Sequence, residues 1–311
     1  MIAALPFVIA FALDLIIGSP SEIDLFALIG RLLPKLYARL AEKKTPDRAM
    51  SSLVTIVMLS AFLAPLIIVG VGYLIFPAVG AILEGILLYF AIDAKKLFDD
   101  CMVLYGYLKD GYYNEARDRL SMMTPRDTYA LDPEGVDAAA VETAADKTET
   151  DVLHPLFWMC IGGAPLAFSY KCAALLDDMM EKEGKDFPLY RTLDSIPGFM
   201  RVFVIPAAAL VKCDPKGAST ILKRDGKKNP GYRTGILAAF SGALGVQTAG
   251  DISVGGVVTH RERIGDAAME IDGEDMKRSG LLMYATAGIA LVAAFAVRAL
   301  AGTLLGIILP F

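Results

Sequence analysis

Glu142, Asp146 and Glu149 follow an i, i+4, i+7 spacing, which on a helix puts three carboxylates on one face. Carboxylates so placed repel one another unless a cation sits among them, so Glu142 and Asp146 form a candidate site for Mg2+ or for an amine. The competing reading is a solvated acidic face. Lys171 follows Gly162-Gly163-Ala164-Pro165 and an apolar run to Tyr170, with Asp177 and Asp178 one or two turns later. Such a lysine either meets an anion or snorkels toward water. Arg224-Asp225-Gly226-Lys227-Lys228-Asn229-Pro230 is a compact basic turn ahead of a glycine-rich apolar helix expected over 235–245. Cations combined with the positive end of a helix dipole suit phosphate, and the same residues suit cytoplasmic anchoring equally.

Other chemistries find no support in the sequence. It contains no Walker loop, GxGxxG, HExxH or GxSxG pattern. His154 and His260 are too far apart in sequence to argue for a metal pair. Cys101, Cys160, Cys172 and Cys213 show no CxxC or Cys/His spacing, which speaks against a zinc site or a disulfide framework. A net charge of -5 argues against a nucleic-acid partner, whose binders carry a basic face.

The elements that must position these residues are apolar. The 311 residues are 55% hydrophobic and 21% charged, with a mean hydropathy of +0.50. The excess lies in blocks. Residues 2–17 carry only Asp14 as a charge, and 281–311 carry only Arg298. Residues 53–90 are interrupted by Pro65, Gly70, Pro77 and Glu84, and are long enough for two passes at about 20 residues each, breaking near 70–72 or at Pro77. The runs 153–170, 199–211 and 234–246 are apolar but rich in Gly, Ala and Pro, and their length suits buried helices, re-entrant segments or short spans. The first block lacks a basic leader and an A-x-A-like cleavage site, so it is read as a retained membrane helix.

The expected fold is therefore all-α: a polytopic integral membrane protein forming a single domain over 1–311. Residues 93–152 are an acidic, mostly helical cytoplasmic insertion within it, and Asp132-Pro133 starts a helix over 133–147. Arg31, Lys35, Arg39, Lys43, Lys44 and Arg48 crowd one loop, and Lys212, Lys216, Lys223, Arg224, Lys227, Lys228 and Arg233 another. The positive-inside rule puts both in the cytoplasm and the protein in the cell membrane. Over 26–42, Arg31, Lys35 and Arg39 share one helical face, as in a helix lying on lipid phosphates or a core helix with a solvated face. A transporter would want charges within its spans, for which only Asp14, Glu84 and Arg298 offer.

Several short segments, in order, resemble the CobD/CbiB membrane proteins of cobalamin biosynthesis, the adenosylcobinamide-phosphate synthases. They are Asp14-Leu15-Ile16-Ile17-Gly18-Ser19-Pro20 and Ile29-Gly30-Arg31-Leu32 near the start. Ala140-Val141-Glu142-Thr143-Ala144-Ala145, Pro155-Leu156-Phe157, Gly162-Gly163-Ala164-Pro165, Tyr170-Lys171 and Leu176-Asp177 follow in the centre. The Arg224–Pro230 turn and Gly242-Ala243-Leu244-Gly245-Val246 complete the set, so the resemblance runs from about residue 10 to 300. It implies ATP-dependent joining of the carboxylate of a corrinoid, adenosylcobyric acid, to the amine of aminopropanol phosphate, with ATP and Mg2+ required. Glu142 and Asp146 would hold Mg2+ or the amine; Lys171, Arg224 and Lys228 would face phosphates; Asp177 and Asp225 would orient them or act as base. Lipid and neighbouring cobalamin-assembly membrane enzymes are the implied partners.

The chain departs from that pattern at several places. A usual Glu-Asn is Asp146-Lys147, an Asp-Gly is Thr150-Asp151, an Asn is Ala174, a Ser-Pro-Asn-Ala-Gly turn is Gly231-Tyr232-Arg233-Thr234-Gly235, and a following Glu is Ala238. The alternative is a divergent paralogue without ligase activity, acting as a corrinoid- or tetrapyrrole-binding scaffold or a membrane sensor.

Overall fold

Pro77 decides where the long apolar run turns. The residue before a proline is pushed out of helical conformation, and Phe76 is extended (φ -163°, ψ 136°) between α3 (Pro46–Ile75) and α4 (Pro77–Ala91). The break thus falls at the second of the two expected positions. α1 (Leu5–Ile17) and α2 (Leu25–Ala41) precede the pair. The computed structural model describes residues 5–18, 24–182, 185–229 and 233–308. Ser19-Pro20 of the opening segment, and Pro230, Gly231 and Tyr232, lie outside the described residues.

The remaining helices are α5 (Ala94–Lys109), α6 (Tyr113–Ser121), α7 (Pro133–Lys147), α8 (His154–Lys182), α9 (Pro188–Ser195), α10 (Val204–Leu210), α11 (Pro215–Asp225), α12 (Thr234–Leu244) and α13 (Gly273–Ile308). α7 starts where expected: Asp132 caps it by accepting the Gly135 N–H at 2.8 Å, and Pro133 occupies the first turn, where its missing N–H costs nothing. A π-helical turn, Thr148–Leu153, carries the chain from α7 into α8. α8 is broken at Gly162 and Gly163, whose ψ of -152° at φ 62° is open only to glycine, and Pro165 sits just beyond the break.

Among the described residues, five helical stretches are long and apolar enough to cross a membrane: Pro46–Ile75, Pro77–Lys109, Pro133–Glu181, Pro188–Leu210 and Gly273–Leu300. The protein is an all-α polytopic membrane protein. α1, the block read as a membrane helix, is described over the 13 residues Leu5–Ile17 and ends at Gly18 with φ 68°. The 234–246 run resolves to α12, all of whose residues are buried, so it is a core helix.

The chain divides into two units. The first comprises Met1–Asp93, His154–Pro197 and Leu291–Phe311, and the second Ala94–Leu153 and Gly198–Ala290. In the first, α4 packs on α1, α3 and α8, while α2 lies against α3 and α8. In the second, α11 and α12 pack as a close pair, and α7 touches α5, α6 and α12. The second unit also holds two short antiparallel pairs that sequence alternation did not announce. β1 (Thr248–Ala249) pairs with β4 (Arg263–Ile264), and β2 (Ile252–Val254) with β3 (Val257–Thr259) around Gly255-Gly256, both at positive φ. Runs of two or three residues are too short for alternation to register, although Gly-Gly between valines is a hairpin turn signal.

Candidate functional site

The acidic face of α7 and its π-helical extension is met by arginines. Glu142, 7% exposed, accepts from Arg126 and, at 3.1 Å, from Arg261, while its other oxygen accepts the Ala249 N–H at 2.8 Å. Ala249 reaches that carboxylate from a left-handed backbone, φ 63°. Asp146 accepts from Arg233 at 3.1 Å, and Arg201 lies 3.6 Å from Glu149. The repulsion that suggested a metal is thus relieved by guanidinium groups. No group of three or more His, Cys, Asp or Glu among the described residues could hold a metal ion. Both Glu142 oxygens are engaged by arginine and backbone donors, and Asp146 by Arg233 through Oδ1 alone, so Glu142 fits a Mg2+ ligand poorly while Asp146 Oδ2 stays open.

α11 runs directly into the basic turn. Asp225, fully buried, receives Arg224 through two bonds of 2.9 and 2.8 Å, Lys228 at 2.9 Å and the Gly265 N–H at 3.0 Å. Arg224 also donates to Asp266 at 2.8 Å. The Arg224 guanidinium, with help from Lys228 and the Gly265 N–H, outweighs burial and holds the Asp225 carboxyl far below the usual carboxylate range. The same pairing raises Arg224 further above neutrality. A carboxylate with so little proton affinity is a poor base at neutral pH; its chemistry is to aim two cations. Asn229 exchanges two hydrogen bonds of 2.9 Å with the backbone of Glu262, docking the turn on the segment that contains β4.

That segment joins the two clusters. Thr248 pairs with Ile264 and Ala249 with Arg263, so in the same register Gly265 stands opposite Gln247, whose side chain donates to the Gly265 carbonyl at 3.3 Å. Asp225 grips one strand of this ladder at Gly265 and Glu142 the other at Ala249, two residues further along. Ser241 of α12 bonds to Thr248 at 2.6 Å beneath it.

In the first unit, Lys171 is buried and does not snorkel. Its ammonium lies 2.6 Å from the Asp93 carboxylate and 5.8 Å from the Phe26 ring. Asp177 stands on the same helix, α8. One group there was not expected: His154 Nδ1 lies 2.9 Å from Asp194 and 3.1 Å from the Tyr170 hydroxyl, which itself donates to Asp194 at 2.8 Å. Of the expected residues, Glu142, Asp146, Arg224, Asp225 and Lys228 belong to the second unit, and Lys171 and Asp177 to the first. Nothing in the sequence links Arg126 and Arg261 to Glu142, because they lie 16 and 119 residues away and share no local spacing with it. A cavity of about 300 Å3 lined by Met269, Asp272, Asp275 and Arg278, among others, includes none of the expected residues.

Residues 7–187 match the family model described as CobD/Cbib protein. The chain belongs to the CobD/Cbib family. Among curated proteins it is similar to the cobalamin biosynthesis protein CobD of Clostridium perfringens (strain 13 / Type A), 31% identical over 305 residues that cover 94% of this chain and 96% of the relative. It is 30% identical over 291 residues to the CobD protein of Geobacter metallireducens, covering 88% of this chain and 90% of the relative. It is also 32% identical over 254 residues to the probable CobD protein of Methanothermobacter thermautotrophicus, covering 77% and 82%. No solved structure matches. The residues at which this CobD/Cbib chain departs from the expected signature pair among themselves: Asp146 with Arg233, and Lys147 with Asp151 at 3.2 Å.

Proposed function

We propose that this CobD/Cbib protein is a membrane-bound, ATP-dependent acid–amine ligase of cobalamin biosynthesis. It would join adenosylcobyric acid to aminopropanol phosphate to give adenosylcobinamide phosphate. The names of its relatives supply the pathway. The observation that carries the reading is the buried Asp225 carboxylate, which aims Arg224 and Lys228 from a basic turn and grips the ladder that Glu142 also holds. Paired cations fixed by a buried counter-ion are what a phosphoryl-transfer site requires.

In this reading a carboxylate oxygen of the corrinoid attacks the terminal phosphorus of ATP, and ADP leaves. The amine nitrogen then attacks the acyl carbon of the acyl phosphate, the amide bond forms, phosphate departs, and the amine proton passes to a base. Arg224 and Lys228 are proposed to stabilise charge on the transferring phosphoryl group, with Asp225 as their positioning residue. Within the first unit, Lys171, oriented by Asp93, is proposed as a phosphate-binding residue in its own right. Magnesium would find its protein donor at Asp146, whose Oδ2 is open, rather than at Glu142, whose two oxygens are engaged. The basic loops, by the positive-inside rule, put the polar portion in the cytoplasm of a cell-membrane protein.

Purified protein in detergent, given adenosylcobyric acid, aminopropanol phosphate, ATP and Mg2+, is expected to form the amide with one ADP per product. Absence of product with this or alternative amines, while corrinoid still binds, overturns the ligase reading.

A further inference from the structure

Glu142 is one carboxylate shared by two arginines. Both Arg126 and Arg261 direct an Nη2 donor at the same oxygen, Oε2, while Oε1 is occupied by the Ala249 N–H. Both arginine side chains are largely withdrawn from water, at 11% and 7% exposure. Arg261 is anchored a second time, donating to the Gly250 carbonyl at 3.0 Å. Arg126 is not: apart from its bond to Glu142 its side chain makes no hydrogen bond or ion pair among the described residues. An arginine presents five donors in a planar fork, so most of the Arg126 fork is unoccupied.

Withdrawing a cation from water is costly unless an anion answers it, and half a share in one carboxylate is a thin answer. A planar fork with its free edge open matches the oxygens of a phosphoryl group, which it can hold through two parallel bonds. The backbone adds to the picture. Ala249 adopts the left-handed region to reach Glu142, and such strain persists only where its surroundings over-determine it. Glu142 is thereby fixed from behind and holds both cations without being able to follow them.

We propose that Arg126, backed by Arg261 and positioned by Glu142, is an anion site for a phosphoryl group. It is separate from the Arg224 and Lys228 pair, and it rests on the ligase reading for the source of that group. Two sources share this chemistry, the phosphate of the amine substrate and the terminal phosphate of ATP. The site also accounts for Glu142 without a metal: the carboxylate tethers the two cations.

The test is equilibrium binding to the full-length protein in detergent, wild type against Arg126→Gln and Arg126→Lys. The probes are pyrophosphate, aminopropanol phosphate against aminopropanol, and ATP against adenosine. Losing a charged hydrogen-bonding partner should weaken the phosphorylated probes about 10- to 100-fold and leave the unphosphorylated ones unchanged. Arg126→Lys, which keeps the charge but loses the fork, should fall between. A loss confined to aminopropanol phosphate assigns the site to the amine substrate; a loss confined to ATP assigns it to the nucleotide. Wild-type protein that binds none of the phosphorylated probes, equal weakening of both members of each pair, or changes under twofold in a folded variant overturn the proposal. Should Arg126→Gln fail to fold, Arg126→Lys is read against the same criteria. A wild type that forms no amide yet binds pyrophosphate in an Arg126-dependent way overturns the ligase reading and leaves the anion site standing.

Discussion

The Gly265 N–H donates to the buried Asp225 carboxylate at 3.0 Å, across 40 residues of chain. That bond makes Asp225 more than a local partner of Arg224: it ties the end of α11 to the strand beside which Glu142 is held. Asp225→Asn keeps the shape but replaces one acceptor oxygen by an NH2 group, so two of the four donors lose their bonds and the other two are weakened from charged to neutral. It should lower stability by about 2 kcal/mol, read as a shift in thermal unfolding in detergent, and sharply reduce turnover.

The sign of the pH dependence follows from the same carboxyl. Its folded-state pKa is depressed, with the Arg224 guanidinium as the first cause, so its contribution is fully present above the ordinary carboxylate value of about 3.9 and is lost as pH falls through the lower folded value. Thermal midpoints should owe nothing to Asp225 titration between neutral pH and about pH 5, and the Asp225→Asn protein should lack part of the wild-type acid-induced fall below about pH 4.

Asp127 plays a similar part for the β2–β3 hairpin. Its carboxylate accepts from the Ser253 hydroxyl and from the Gly256 and Gly255 N–H groups, at 2.9 and 3.1 Å for the last two. The Ser253 bond, then the Gly256 N–H, keep the carboxyl below its usual range. Asp127→Ala should speed amide exchange at Gly255 and Gly256 and expose the hairpin to proteolysis, leaving helical content unchanged by circular dichroism.

At the α8 break, a side chain on Gly163 would collide with the Glu84 carboxylate, which the Tyr73 hydroxyl holds at 2.8 Å. Gly163→Ala should cost about 1–3 kcal/mol from the backbone alone, and more from the collision. In a Glu84→Ala background the collision is gone and the added penalty should shrink, a non-additivity visible in a double-mutant cycle of melting temperatures.

The ion pairs along α7 should differ widely in worth. Asp146, half-exposed opposite Arg233, should cost no more than about 1 kcal/mol on change to Asn. Glu142→Gln leaves two nearly buried arginines without their carboxylate and should cost about 3–5 kcal/mol by the same unfolding measurement.

Much of this architecture is readable in the residues themselves. Apolar runs of membrane length stand out against any background, Pro77 marks a turn, and Asp132-Pro133 announces α7 because capping is a matter of three consecutive residues. The 224–229 turn stands out as a compact cluster of cations, whereas Lys171 is legible only as a charge after an apolar run, which leaves burial and snorkelling equally open. The Glu142 environment was not. An i, i+4, i+7 row of acids looks identical whether a metal, water or arginines from 16 and 119 residues away neutralise it, and only the tertiary fold supplies that choice. α12 was ambiguous for a related reason: an apolar stretch does not say whether lipid or protein surrounds it.

The mutual hydrogen bonds between Asn229 and Glu262 flank α12 on both sides. The segments before and after that buried helix meet each other, so α12 is expected to add nothing to the parity of membrane crossings. Single-cysteine labelling from outside the cell should give residues 216–228 and 252–262 the same accessibility. A topology drawn from hydropathy alone, counting 234–246 as a passage, would invert everything that follows it, α13 included.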